Sequence, residues 1–210
     1  MAAALLSSGT SVLRECPKIT DVFLMEKILR ELGARTWWEG HDLYLDCSHA
    51  DGTVIPEHFS GKMRSSVILM GAMLGRNGKA QTGYPGGCVI GKRPVDLHIQ
   101  VLQKLGARIV ENGSEIQAAC GKLKGAEIIF PKSSVGATEQ GILAAVLAEG
   151  KTVLSGCARE PEINWLCQYL TGMGARIEIL KNGRICIEGV KKLHPGNMTI
   201  PPDRIVAGTY

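Results

Sequence analysis

The chain has 210 residues, 45% of them hydrophobic and 21% charged, with a net charge of +4. These figures describe an ordinary globular chain, able to bury roughly 70% of its unfolded surface in one large or two small domains. No apolar run approaches the ~18 residues of a membrane span, and the charge is too small and too dispersed for a nucleic-acid binder, so neither partner is expected. Seven cysteines, an odd number without paired spacing, point to reduced thiols in a cytoplasm. The five histidines form no ligand pattern, so no metal is expected.

In chain order, residues 1–6 read as the tail of a helix ended by Gly9, and 11–14 as a short strand. Over 21–32, the residues Val22, Leu24, Met25, Ile28, Leu29 and Leu32 share one face of an amphipathic helix, and Gly33 caps it. Segments 35–38 and 43–47 pair as strands about a turn at Gly40, and 49–61 is a polar connection. A helix over 62–74 and a strand near 79–81 lead into a glycine-rich stretch. Beyond it the pattern predicts a helix over 95–105 and strands at 108–110, 115–119 and 126–130. Helices over 135–148 and 161–173 follow, with strands at 152–155, 176–180, 184–189 and 197–200. Pro201-Pro202-Asp203-Arg204 opens one more helix.

An internal repeat underlies this order. Leu32-Gly33-Ala34-Arg35, Leu105-Gly106-Ala107-Arg108 and Met173-Gly174-Ala175-Arg176 recur at spacings of 73 and 68 positions. Gly9 to Leu32 and Gly150 to Met173 both span 23 positions, whereas Gly78 to Leu105 spans 27. Three copies of a βαβαββ unit, at about 1–61, 62–131 and 132–203, predict an α/β domain with helices buried and sheets outside. The middle copy alone carries four extra residues, in the loop that holds Cys88.

That loop, from Thr82 to Leu97, combines glycines with a thiol and two cations. Glycines beside Cys88 let the backbone approach a ligand, while Lys92 and Arg93 favour a thiolate or hold an anion. From residues alone it reads as a surface loop with a chance cysteine or as a reactive site. Cys16, Cys47, Cys120, Cys157, Cys167 and Cys186 sit in apolar patterns and read as small core residues. Lys132, Ser133, Ser134, Val135 and Gly136 precede a helix, either as a serine cap or as an amide cradle for a diphosphate. Pro94 and Asp96 read as helix initiators, with the proline at the first helical position. Arg64, at a helix start, reads as a solvated charge.

The run Pro85-Gly86-Gly87-Cys88-Val89-Ile90-Gly91-Lys92-Arg93-Pro94-Val95-Asp96-Leu97-His98 resembles the active loop of the UDP-N-acetylglucosamine 1-carboxyvinyltransferases, a branch of the enolpyruvyl transferase family. Lys132 to Thr138, Ala158 to Ile163 and Pro202 to Ile205 match that family in order, so the resemblance covers the whole chain. It implies half of a two-domain inside-out α/β barrel, with 1–203 as one domain and 204–210 as the opening of a second. The implied reaction transfers the enolpyruvyl group of phosphoenolpyruvate to the 3′-hydroxyl of UDP-N-acetylglucosamine and releases phosphate. The setting it implies is bacterial, cytoplasmic and peptidoglycan-forming, with no cofactor.

By the same resemblance Cys88 is the general acid, forms a covalent phosphoenolpyruvate adduct and is alkylated by fosfomycin. Arg93 pairs with phosphate. Arg64, Arg93, Pro94, Val95, Asp96, Leu97, Lys132, Ser133, Ser134, Val135 and Gly136 contact substrate. The related EPSP synthases lack the cysteine loop and fit less well. The family's Lys-Asn pair is expected just ahead of Met1, and its catalytic aspartate and further arginines in the second domain. The chain is therefore expected to be a fragment without turnover by itself, or alternatively a non-catalytic nucleotide-sugar-binding fragment.

Overall fold

The computed structural model describes residues 1–86 and 94–209. A 3-10 helix, Ala2–Leu6, precedes β1 (Thr10–Arg14), α1 (Thr20–Glu31), β2 (Arg35–Glu39), β3 (Asp42–Asp46), β4 (Val54–Ile55) and α2 (Glu57–Ser60). A second 3-10 helix, Arg64–Ile68, runs straight into α3 (Leu69–Asn77). Then come β5 (Lys79–Gly83), α4 (Asp96–Lys104), β6 (Arg108–Asn112), β7 (Glu115–Ala119) and β8 (Glu127–Ile129). The rest is α5 (Val135–Ala145), β9 (Lys151–Ser155), α6 (Pro161–Gly172), β10 (Arg176–Ile179), β11 (Ile185–Glu188), β12 (Asn197–Thr199) and α7 (Arg204–Thr209).

The strands form three four-stranded sheets, ordered β12-β1-β3-β2, β4-β5-β7-β6 and β8-β9-β11-β10. The first pair of each sheet is parallel, with registers Asn197 on Val12, Val54 on Gln81 and Glu127 on Val153. The remaining pairs are antiparallel. Each sheet thus borrows its first strand from the segment that precedes its own helices in the cycle, and β12 returns to β1. The α/β class with outer sheets and buried helices is the one the repeat predicts.

Composition explains why helices take the centre. The segment Ala2–Leu6, α3 and α5 are rich in alanine, glycine and leucine, and α3 buries every residue from Leu69 to Leu74. A helix apolar all round must be enclosed on all sides. These three segments pack against one another. Small residues set the spacing: a Cβ on Gly71 of α3 would stand 2.7 Å from the Gln140 carbonyl oxygen of α5. Helices α1, α4 and α6 bury one face each, through Ile28 and Leu29, Val101 and Leu102, and Ile163 and Leu170.

Two local differences from the sequence reading have physical causes. The 49–61 connection contains β4 and α2; two residues show no alternation, and β4 exists because β5 offers a parallel edge. The helix expected over 62–74 starts at Arg64 and is 3-10 as far as Ile68, where the Ser66 hydroxyl donates to the Met63 carbonyl (2.7 Å) in competition with the α ladder. Residues 1–6, read as the tail of a helix, form the 3-10 helix Ala2–Leu6. The cysteine reading holds for Cys16, Cys47, Cys157, Cys167 and Cys186, which are free and buried, while Cys120 is half-buried. Burial pushes Cys47 up to about 11 and Cys167 to about 12, so neither is a nucleophile at neutral pH. No helix among the described residues is long and apolar enough to cross a membrane.

The glycines separate contact from conformation. Gly71→Ala is expected to lower stability by about 1–3 kcal/mol by prising α3 from α5. Gly172 ends α6 with open space around it, so Gly172→Ala is expected to raise stability by about 0.5–1 kcal/mol. Urea midpoints at constant m-value check both.

Candidate functional site

Two helix starts and a 3-10 helix meet at one place. Arg64, at the beginning of its 3-10 helix, donates from Nη2 to the Pro94 carbonyl at 3.0 Å. Pro94 leads into α4, whose first turn carries Asp96, Leu97 and His98. The His98 ring lies against the first turn of α5, where a Cβ on Gly136 would stand 3.0 Å from Cε1 and 3.2 Å from Nε2. The structure therefore brings Arg64, the 94–97 segment and Gly136 together.

The start of α5 is organised by Ser134. Its Oγ accepts the Ala137 N–H at 3.4 Å, and its carbonyl accepts both the Thr138 N–H (3.0 Å) and the Thr138 hydroxyl (2.8 Å). The Thr138 oxygen in turn accepts the Ala158 N–H at 3.0 Å. Helix geometry gives the Val135 and Gly136 amides no intrahelical acceptor, and the helix dipole favours an anion there. Lys132 and Ser133 are exposed immediately ahead. Serine capping and an anion cradle are compatible readings of the same turn.

At the start of α4 the side chains divide. Pro94 and Asp96 are exposed, whereas Val95 and Leu97 are buried in the core, which leaves only their backbone for a ligand. Val95 is the N-cap, so Pro94 stands ahead of the cap and not at the first helical position as the sequence suggested. Cys88 and Arg93 lie outside the described residues. The chain leading to them is fixed by the Tyr84 N–H on the Ser114 carbonyl (2.9 Å) and the Gly86 N–H on the Ser60 carbonyl (3.0 Å). Gly86 packs so tightly on Gly61 that a Cβ would collide with the Gly61 carbonyl oxygen.

Sequence reading assigned no role to His98 or Gln140. His98 Nδ1 bonds Gln140 Oε1, and both residues are buried. Burial holds His98 below the usual imidazole range; the Gln140 bond opposes that, the Arg64 charge adds to it, and Asp96 opposes it. The pair is 42 positions apart in sequence, and neither residue falls in a periodic pattern that would reveal the other.

The profile of the EPSP synthase (3-phosphoshikimate 1-carboxyvinyltransferase) family matches residues 1–210. The chain is 47% identical to UDP-N-acetylglucosamine 1-carboxyvinyltransferase 2 of Caldanaerobacter subterraneus subsp. tengcongensis, across all of this chain and 50% of that protein. It is also 47% identical to the UDP-N-acetylglucosamine 1-carboxyvinyltransferase of Wolbachia pipientis wMel, covering 51% of it. The chain thus spans about half the length of these curated relatives. Among solved structures, the enolpyruvyl transferase NikO from Streptomyces tendae superposes with a TM-score of 0.87 at 23% identity, over 99% of this chain and 50% of that one. An EPSP synthase from Acinetobacter baumannii does so at 0.76 and 18%, over 95% and 47%. At those identities the two structures bear on the fold.

Elsewhere, α5 and α6 border a hollow of about 540 Å³, lined in part by Glu139, Leu143, Trp165 and Ile200. Burial, then the neighbouring Glu162 carboxylate, push Glu139 up to about 7, with the Met1 amine acting the other way. The folded state therefore holds this proton more tightly than the unfolded chain, whose reference value is 4.5. The resulting stability is complete below that value and is lost as pH rises through about 7. Denaturant titrations from pH 4.5 to 8 are expected to show the decline, and Glu139→Gln to flatten it.

Proposed function

The chain belongs to the EPSP synthase family, and from that premise we propose that it forms the nucleotide-sugar side of an enolpyruvyl transferase. The proposed reaction moves the enolpyruvyl group of phosphoenolpyruvate to the 3′-hydroxyl of UDP-N-acetylglucosamine and releases phosphate, in bacterial peptidoglycan synthesis in the cytoplasm. The observation that supports this is the convergence of Arg64, the 94–97 segment and the start of α5 around His98. In this reading the diphosphate sits on the Val135 and Gly136 amides beside Lys132, Ser133 and Ser134, and the uridine side runs along Pro94 to Leu97. Arg64 adds a charge that is already oriented by the Pro94 carbonyl.

The chemistry requires a proton added to the methylene carbon and attack of the 3′-hydroxyl oxygen on the adjacent carbon, with the hydroxyl proton passing to a base or to water. That methyl proton and phosphate then leave, and the double bond re-forms. Cys88 takes the role of proton donor and Arg93 that of phosphate partner. The remaining groups belong, in this proposal, to the half of the relatives' length that this sequence does not span. A second reading, a nucleotide-sugar-binding fragment without turnover, is favoured by that same coverage.

Intact-mass measurement after fosfomycin treatment tests Cys88, with one adduct expected in the wild type and none in Cys88→Ser. Titration with UDP-N-acetylglucosamine tests the site, and Arg64→Ala is expected to weaken binding by roughly 10- to 100-fold. Absence of binding to the wild-type chain overturns the proposal. Binding with no phosphate release in the presence of both substrates selects the second reading over the first.

A further inference from the structure

We propose that His98 is a positioning residue for the diphosphate: its imidazole, held by Gln140, sets Gly136 and fixes the first turns of α4 and α5 at one spacing. The inference rests on the diphosphate reading above. His98 is 6% exposed and Gln140 is wholly buried, so the pair acts from beneath the surface and not as a ligand contact.

With the Gln140 oxygen as acceptor, the imidazole proton sits on Nδ1 and the Nε2 edge is bare. That edge is the surface on which Gly136 rests, since a Cβ would meet Cε1 and Nε2 at 3.0 and 3.2 Å. Any rotation of the ring moves the first turn of α5 and with it the Gly136 amide. On its other side the ring belongs to the same turn as Asp96 and Leu97, so a single group spaces the two segments that take the nucleotide.

Gln140 does more at this place than fill space. Its Nε2 is buried without a hydrogen-bond partner among the described residues. A leucine would fill this place without the penalty of an unpaired amide, so what the amide adds is its oxygen on His98. Orientation of the ring is what that oxygen supplies, because an imidazole held at Nδ1 cannot flip without losing the bond.

The test compares uridine, UDP and UDP-N-acetylglucosamine as ligands of the full chain and of Gln140→Leu and His98→Asn. Both variants are expected to lose about tenfold in affinity for the two diphosphates and to bind uridine as the wild type does. Nitrogen-15 imidazole spectra are expected to show a single Nδ1–H tautomer in the wild type and a mixture in Gln140→Leu. Gln140→Leu removes the unpaired amide at similar volume, so its amide spectrum should remain that of a folded chain even where His98→Asn does not fold. Unchanged UDP affinity in Gln140→Leu, or equal losses for uridine and UDP, overturns the inference and leaves the proposed function standing. A wild-type chain that binds neither UDP nor UDP-N-acetylglucosamine removes both.

Discussion

Helix α5 is held at Gln140 from two directions. Its backbone carbonyl backs onto Gly71 of α3, at a separation that leaves no room for a Cβ, and its side chain bonds His98 of α4. The innermost helix contact is thereby tied to the turn that carries Pro94 to Leu97. The three central segments are mostly apolar and bury most of their residues, so they depend on mutual contact. Once that contact is made, the direction of α5 is set, and the amides at its start point to a fixed place. The sheets close around this centre and contribute the second side of each amphipathic helix.

The proposed site lies where the middle unit departs from its neighbours. β5 ends at Gly83, whose missing side chain makes room for the Ser60 hydroxyl, and Gly86 lies directly on Gly61. Ser60 is wholly buried and receives the Gly86 N–H. The short α2 is therefore the base on which the segment leading to Cys88 rests. An added loop needs such a base, because a chain that leaves a strand with no partner has no defined direction.

Much of this could be read from the sequence. The repeated Gly-Ala-Arg follows α1, α4 and α6 because each helix ends in a left-handed turn, with φ of 95°, 91° and 96° at Gly33, Gly106 and Gly174. Ser134 announced the start of α5, and the long family-like run announced the start of α4. What stayed hidden depends on contacts between distant segments. β4 has only two residues and is defined by its neighbour, and the break at Ile68 follows from a side-chain bond within one turn. His98 and Gln140 are unremarked singly, and their meaning lies in the packing of two helices whose spacing no periodicity encodes. Cys88 and Arg93 lie outside the described residues, and their roles rest on resemblance.

The return of β12 to β1 bears on the order in which the molecule assembles. Gly196 donates to the Ser11 hydroxyl across 185 positions, whereas the parallel pairs that start the other two sheets close loops of 27 and 26. Loop closure costs more for the longer span, and contacts of this range slow folding. The two later sheets can form from nearby segments while the first waits for a strand made some 185 residues after its partner. During synthesis β1 therefore spends its time as an open edge, the kind of surface that recruits the wrong strand. The ring of sheets is sealed last at the seam where its two ends meet, and that seam sets how long the nascent chain stays vulnerable.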